Sequence, residues 1–201
     1  MMSRITPAEQ RVGLFTAAYV IGFALWFFAI GNFEFIFYVV TLLVLVGLIA
    51  ISLRKADYPP RLLWALSLWG LMHMAGGGVP VNGSVLYTLQ LVPILSDGEM
   101  SLLKYDQVVH FYGFGVSAWL LWHIMTHSFP VLKGTKTAFV LPVLGAMGLG
   151  ALNEIIEFTA VLMLPDTNVG GYINTGLDLV FNAAGALCAM WIVTSREKET
   201  S

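Results

Sequence analysis

The sequence predicts an all-α, polytopic membrane protein: a bundle of six transmembrane helices with both termini in the cytoplasm. Hydrophobic residues make up 58% of the chain and charged residues 11%, whereas soluble domains carry roughly 25% charged residues. Six apolar runs have about the 17–25 residues that a helix needs to cross a bilayer. Lys and Arg fall in alternate connections between these runs, which indicates the orientation.

The predicted spans form a single integral membrane domain over residues 1–201, without a soluble domain or internal repeat. In order along the chain, they cover Val12–Ile30, Phe33–Leu53, Arg61–Gly77, Gln107–Thr126, Thr137–Leu164 and Leu177–Ser195.

Local signals mark the first boundaries. Thr6-Pro7-Ala8-Glu9 combines an N-cap threonine, a proline at the first helical position and a capping-box glutamate. Gly31-Asn32 predicts a tight turn, so spans one and two form a helical hairpin. Asp57-Tyr58-Pro59-Pro60 breaks the chain before span three.

The basic residues orient this bundle by the positive-inside rule. Lys104 alone falls on the outer side. The cytoplasmic side carries Arg4, Arg11, Arg54, Lys55, Arg61, Lys133, Lys136, Arg196 and Lys198.

The remaining outer material is two connections, Gly78 to Tyr105 and Pro165 to Gly176. The first is half apolar, and its run Val85 to Leu95 predicts a short helix lying in the membrane interface. A chain of this composition has membrane lipids as its surroundings, and it has no basic patch suited to nucleic acid. A homo-oligomer is left open.

Two glutamates, Glu154 and Glu157, interrupt the fifth apolar run. A charged residue at the centre of a membrane helix costs about 2.5–3.5 kcal/mol on insertion scales. Two carboxylates one turn apart also repel each other unless a proton or a cation lies between them. Ionisable residues inside a membrane therefore predict a functional site.

Other polar residues reach the same outer level in the six-span arrangement. His73 ends span three, Asp106 and His110 begin span four, and Asp178 and Asn182 begin span six. Each of these last two pairs is spaced four apart and so shares a helix face. Asn153 lies four residues before Glu157, and glycines on spans four to six allow close helix approach.

Structural explanations compete with a functional one. Asp106 could be a first-turn acid that the helix dipole favours, and Asp178 could complete a capping box with Thr175. His73 alone is more typical of a hydrogen-bonded interior histidine, and Asn182 could simply join two helices.

In an enzyme, Glu154 and Glu157 would be the catalytic carboxylates, one of them a general base, with Asn153 and Asn182 as supporting polar groups. Imidazole with carboxylates suits Zn²⁺, Fe²⁺ or Mn²⁺, and the mixture does not decide between them. A substrate entering from the outer leaflet would be a lipid or a lipid-linked molecule. The candidate metal ligands are His73, Asp106, His110, Glu154, Glu157 and Asp178.

Two further functions stay open. A proton- or cation-coupled transporter would use the same carboxylates, although the inner halves of the spans offer no polar path. A scaffold or binding protein would hold them as a fixed polar network. Polarity on one side only favours an enzyme or a binding site.

The order of these residues resembles the YjdF-like bacterial inner-membrane proteins, a family of unknown function. The similarity covers about Leu62 to Met190, and it implies the topology, the residue set and a bacterial inner-membrane location. More distantly, the helix starts resemble VanZ-like proteins. The chain departs from the YjdF-like pattern at Asn174, where relatives tend to carry an acid, and at Val79-Pro80-Val81, where they have tyrosines. The resemblance rests on His73-Met74-Ala75-Gly76-Gly77, Tyr105 to Phe111, Asn153 to Glu157, and Asp178 with Asn182 and Gly185.

Overall fold

The structure is a computed structural model and describes residues 5–97, 100–163 and 170–199. The chain forms two compact units, Met1–Tyr87 and Thr88–Ser201. The elements of the first unit are α1 (Pro7–Ala29), α2 (Phe33–Ala56), α3 (Pro60–Gly78), β1 (Pro80–Val81) and β2 (Ser84–Val85), and a 3-10 turn (Leu86–Thr88) leads into the second. The second unit comprises β3 (Gln90–Asp97), β4 (Met100–Lys104), α4 (Tyr105–Ser128), a 3-10 turn (Pro130–Leu132), α5 (Lys136–Met163) and α6 (Tyr172–Glu199).

The capping signals predicted for the first helices are confirmed, although α1 begins at Pro7, five residues before the predicted Val12, and α2 ends at Ala56, three residues after the predicted Leu53. The Thr6 hydroxyl accepts from the backbone of Glu9, and the Glu9 carboxylate accepts from the backbone of Thr6. Asn32 caps α2 by accepting from the backbone of Phe35 at 3.2 Å. Asp57 ends α2 in the left-handed conformation, with φ of 48°. These caps satisfy backbone groups that a helix end leaves unpaired.

Five of the helices in the described residues are long and apolar enough to cross a membrane: α1, α2 from Tyr38 onwards, α4, α5 and α6 up to Glu197. The third predicted span corresponds to α3, which has 19 residues but falls outside this set. Arg61, His73 and three consecutive glycines lower its apolar character. The protein is therefore a largely helical one with several apolar helices of membrane-spanning length.

The prediction of a short helix at Val85–Leu95 is wrong, because the segment contributes to two antiparallel hairpins. Asn82 and Gly83 join β1 to β2 with φ of 50° and 81°, and positive φ at both positions is what a two-residue hairpin turn requires. β3 pairs with β4, and its register shifts between Gln90 and Leu95. Pro93 lies in that interval, and a proline is tolerated in a strand at such an irregularity.

The first unit packs α1 against α3. The hydroxyls of Thr16 and Ser67 share a hydrogen bond of 2.7 Å, and the Trp26 indole donates to the Gly78 carbonyl at 2.9 Å. Near the end of α3, the rings of Phe27 and Phe35 stack with centroids 5.2 Å apart. Polar contacts inside an apolar bundle fix which helix faces meet.

The second unit is a bundle of α4, α5 and α6 preceded by the β3–β4 hairpin. Its apolar core includes Ala118, Val143, Ala146, Ala186 and Met190. These residues lie towards the end where α4 and α6 finish and α5 begins. The opposite end, where α4 and α6 begin and α5 finishes, is left for polar side chains.

Glycines bring α4 and α6 together in this unit. A Cβ atom added at Gly185 would overlap the backbone carbonyl of Phe111, and one added at Gly115 would lie 3.0 Å from the Gly185 carbonyl oxygen. Such contact between helix backbones needs small residues at the crossing. Part of the connection from Pro165 to Gly176 lies outside the described residues, as does Leu164 at the end of span five. The last helix, α6, begins at Tyr172, five positions before the predicted Leu177.

Candidate functional site

Three helices bring five ionisable side chains together at the polar end of the second unit. Ligand atoms of Asp106, His110 and Asp178, hereafter the aspartate triad, lie within 4.8 Å of one another. Ligand atoms of a second group, the glutamate triad, also lie within 4.8 Å of one another; its members are His110, Glu154 and Glu157. The i, i+4 spacing on α4 and the i, i+3 spacing on α5 put both members of each pair on one helix face.

His110 belongs to both triads, and its two ring nitrogens face different partners. Nε2 is 3.6 Å from Asp106 Oδ1. Nδ1 is 3.0 Å from Asn182 Oδ1 and 3.8 Å from Glu154 Oε1. An amide oxygen can only accept, so Nδ1 donates in the contact with Asn182, and Nε2 is the nitrogen that faces Asp106. A metal-binding histidine is held in this way, with its second nitrogen donating to an oxygen.

Asn174, on the first turn of α6, orients the two aspartates. Its amide nitrogen donates to Asp106 Oδ2 at 3.2 Å and to Asp178 Oδ2 at 2.5 Å. Its oxygen accepts from the Lys104 ammonium at 3.3 Å. Because an ammonium only donates and a carboxylate only accepts, the orientation of this amide is fixed. The Oδ1 atom of each aspartate takes no part in these two hydrogen bonds.

Two of the carboxylates are buried without hydrogen-bond partners. Asp178 is 0% exposed, and its Oδ1 has no partner among the described residues. Glu154 is 9% exposed, and both of its oxygens lack one. Asn153 and Thr175 come near Glu154 without completing a hydrogen bond. Buried polar atoms in proteins are almost always paired, so these oxygens are candidate positions for a proton, a cation or a water molecule.

Glu157 differs from Glu154 in having a fixed partner. Its Oε1 accepts from the Asn153 amide at 2.7 Å across one helical turn. Within the glutamate triad, one carboxylate is therefore oriented and the other has no hydrogen bond. Together with Asp106 and Asp178, the two glutamates place four carboxyl groups around a single imidazole.

His73 lies in the other unit, near the end of α3. Its Nδ1 shares a hydrogen bond with the Tyr87 hydroxyl, and its ring packs edge-on against Tyr38 with centroids 5.7 Å apart. The assignment of His73 as a metal ligand stays a prediction.

The proposed capping box of Asp178 with Thr175 is wrong. α6 begins at Tyr172, and the Thr175 backbone N–H already donates to the Gly171 carbonyl at 3.1 Å. Asp178 is therefore an interior helical residue and not an end cap. Asp106, by contrast, does lie in the first turn of α4, so the helix dipole favours its charge while the side chain also faces His110.

Two positions shape the surroundings of the cluster. Gly150 on α5 makes room for Asn182, because an added Cβ would come 2.5 Å from the Asn182 amide nitrogen. Gln107 is fully buried, and its oxygen accepts from the backbone of Leu103 and Lys104 at 2.6 and 3.2 Å. It thus ties the end of β4 to the start of α4, beside Asp106.

Comparison with known proteins gives a family. Residues 12–199 match the family described as predicted membrane protein, DUF2238. The chain belongs to this family. The family description agrees with the apolar helices and assigns no reaction.

Among curated proteins, this DUF2238 member is similar to an uncharacterised protein of Thermotoga maritima. The two are 33% identical over 90 residues, which cover 44% of this chain and 47% of the relative. The chain thus spans about half the length of that protein. No solved structure gives a significant match.

Proposed function

We propose that the second unit binds one divalent metal ion through Asp106, His110 and Asp178, and that the bound ion makes the protein a hydrolase of lipid or lipid-linked molecules. The observation that carries this proposal is Asp178 Oδ1, which is completely buried and without a partner. A carboxylate oxygen in that position needs a cation, a proton or a water molecule beside it, and a metal ion with its bound water supplies the first and the last.

The hydrogen bonds around the aspartate triad support a metal rather than a proton. Asn174 binds the second oxygen of both aspartates, and Asn182 binds the second nitrogen of His110. Each of the three ligand residues is therefore hydrogen-bonded, through its other polar atom, to a neutral amide. Hydrogen bonds of this kind orient metal ligands. One imidazole and two carboxylates suit Zn²⁺, Fe²⁺ or Mn²⁺.

The glutamate triad is the weaker metal site of the two. His110 would have to offer Nδ1 to it, and that nitrogen already donates to Asn182 at 3.0 Å. We assign Glu154 the role of general base, because neither of its oxygens has a hydrogen-bond partner. Glu157, fixed by Asn153, supplies negative charge beside it.

The chemistry then follows from these groups. A bound divalent ion lowers the pKa of its water towards about 7 and polarises the bond to be broken. Glu154 accepts the proton of the attacking water and returns it to the leaving group. Asp106, Asp178 and His110 hold the ion in place during the reaction.

The membrane setting gives the substrate class. We propose α3 as a sixth span, both termini in the cytoplasm and a bacterial inner membrane as the location. The asymmetric basic residues support this orientation, as does the resemblance to YjdF-like and VanZ-like proteins. The cluster would then lie at the level of the outer leaflet, and its substrates would be lipids or lipid-linked molecules of that leaflet.

A hydrolysis assay with matched variants tests this function. Full-length protein loaded with Zn²⁺, Fe²⁺ or Mn²⁺ is expected to cleave members of a panel of phospholipids and polyprenyl-linked substrates. Glu154→Gln should keep the metal and lose about 100-fold or more of the rate, which is the usual contribution of a general base. A Glu154→Gln protein as fast as the wild type would contradict the assignment, and a metal-loaded wild type that cleaves nothing in the panel would overturn the hydrolase.

A further inference from the structure

Lys104 lies at the edge of the aspartate triad and does not pair directly with it. Its ammonium donates to Asn174 Oδ1 at 3.3 Å, and the same amide donates to Asp106 and Asp178. Within the described part of the chain, no carboxylate oxygen lies within 4.0 Å of the ammonium. The neutral Asn174 amide thus connects the Lys104 ammonium to the two aspartates.

The number of donors on this lysine leaves room for a ligand. An ammonium has three N–H donors, and Asn174 accepts one of them. Lys104 is half-buried at the N-cap position of α4, so the other two are available to a ligand that binds near the start of this helix. Once a divalent ion balances the two aspartate charges, the positive charge of Lys104 stays uncompensated on that side.

We propose that Lys104 and the metal bind one phosphate group between them, so that the substrates are phosphate monoesters. This inference rests on the proposed metal site. A phosphate offers several oxygens, so one can bind the ion while others accept from the ammonium. Lysine is a common phosphate-binding residue acting as a point charge, and paired cations stabilise the charge on a phosphoryl group during transfer.

The reaction of that site is a hydrolysis with a simple balance. The oxygen of water forms a bond to phosphorus while the bond from phosphorus to the ester oxygen breaks. Glu154 takes one proton from the attacking water and returns it to the departing alkoxide. The products are inorganic phosphate and an alcohol.

Binding to the intact metal-loaded protein in detergent tests the inference. The ligands are dioctanoyl phosphatidic acid, dioctanoylglycerol and inorganic phosphate, measured by calorimetry. The wild type is expected to bind the phosphatidic acid and not the neutral lipid. Lys104→Gln should weaken that binding about tenfold or more, the usual effect of losing a charge-assisted hydrogen bond, and Lys104→Arg should restore most of it.

The control is Lys133→Gln, which removes an exposed lysine outside the cluster and should leave binding unchanged. Tight binding of phosphatidic acid with weak binding of inorganic phosphate indicates a lipid phosphate, and equal binding indicates a soluble one. If the metal is retained but Lys104→Gln binds normally, or if the wild type binds both lipids alike, the phosphate inference fails and the metal site stands. If the wild type holds no metal, the proposed function fails with it.

Discussion

Two asparagines on α6 orient the charged residues of the cluster. Asn174 donates to Asp106 and Asp178, and Asn182 accepts from His110. Neutral amides can fix carboxylates and an imidazole without adding charge to a buried site. Their hydrogen bonds leave one oxygen of each aspartate and one nitrogen of the histidine for a common ligand.

Removing the Asn174 amide is expected to weaken metal binding. Asn174→Ala should raise the dissociation constant of the ion about 10–100-fold, which is the usual effect of losing an outer-shell partner. Asn153→Ala is the matched control, because Asn153 is also half-buried but its hydrogen bond goes to Glu157 of the glutamate triad and not to an aspartate. Competition titration with a chelating dye measures both variants. Equal affinities in the two proteins would show that Asn174 does not hold the ligands.

The sequence allowed much of this cluster to be predicted, because charges in apolar helices stand out. Spacings of three and four residues placed Asp106 with His110, Asp178 with Asn182, and Glu154 with Glu157 on common faces. The sequence does not place Asn174 in the cluster, since the apolar run of span six begins only at Leu177. Gln107 carried no signal, because one amide at a helix start is unremarkable until its hydrogen bonds are seen.

At the scale of the helices, the contact between α4 and α6 brings the polar groups within reach of each other. Gly185 meets the Phe111 carbonyl, and Phe111 follows His110 in the chain. A side chain at this crossing would separate the two helices beside the aspartate triad. The close approach therefore governs both stability and the distances in the cluster.

Gly185→Ala is expected to destabilise the protein by about 1–3 kcal/mol through overpacking and to reduce metal affinity. Gly148→Ala is the control, because no atom of the described residues lies within 4 Å of its added Cβ; replacing a helical glycine there should be neutral or stabilise by up to about 1 kcal/mol. Thermal unfolding in detergent measures both. A melting temperature for Gly185→Ala at or above that of Gly148→Ala would contradict the observed packing.

Helices and hairpins differed in how well the sequence predicted them. Caps at Thr6, Asn32 and Asp57 and long apolar runs define the helices locally. Short apolar runs are ambiguous between helix and strand, so the apolar character of Val85–Leu95 does not by itself predict a helix. The Asn82-Gly83 turn signal, read together with Pro93, would have favoured hairpins.

At the scale of the whole molecule, the proposed orientation puts the cluster at the outer leaflet. Cysteine labelling in intact cells tests it, starting from a Cys188→Ser background that removes the native thiol. Ser84→Cys, in the exposed β1–β2 hairpin, should react with a membrane-impermeant maleimide, whereas Lys55→Cys should react only after lysis. Reaction of Lys55→Cys and protection of Ser84→Cys in intact cells would reverse the orientation.

The central claim of a metal held by the aspartate triad is tested most directly by elemental analysis of purified, full-length protein. The wild type and Asp57→Asn, a change at an exposed helix end, are expected to contain one equivalent of a divalent transition metal. Asp178→Asn should contain almost none, although the apoprotein should fold at least as well, because a neutral amide replaces a buried carboxyl group whose Oδ1 has no hydrogen-bond partner among the described residues. A wild type purified without chelators that binds no added Zn²⁺, Fe²⁺ or Mn²⁺, or an Asp178→Asn protein that binds the ion as tightly as the wild type, would contradict the account.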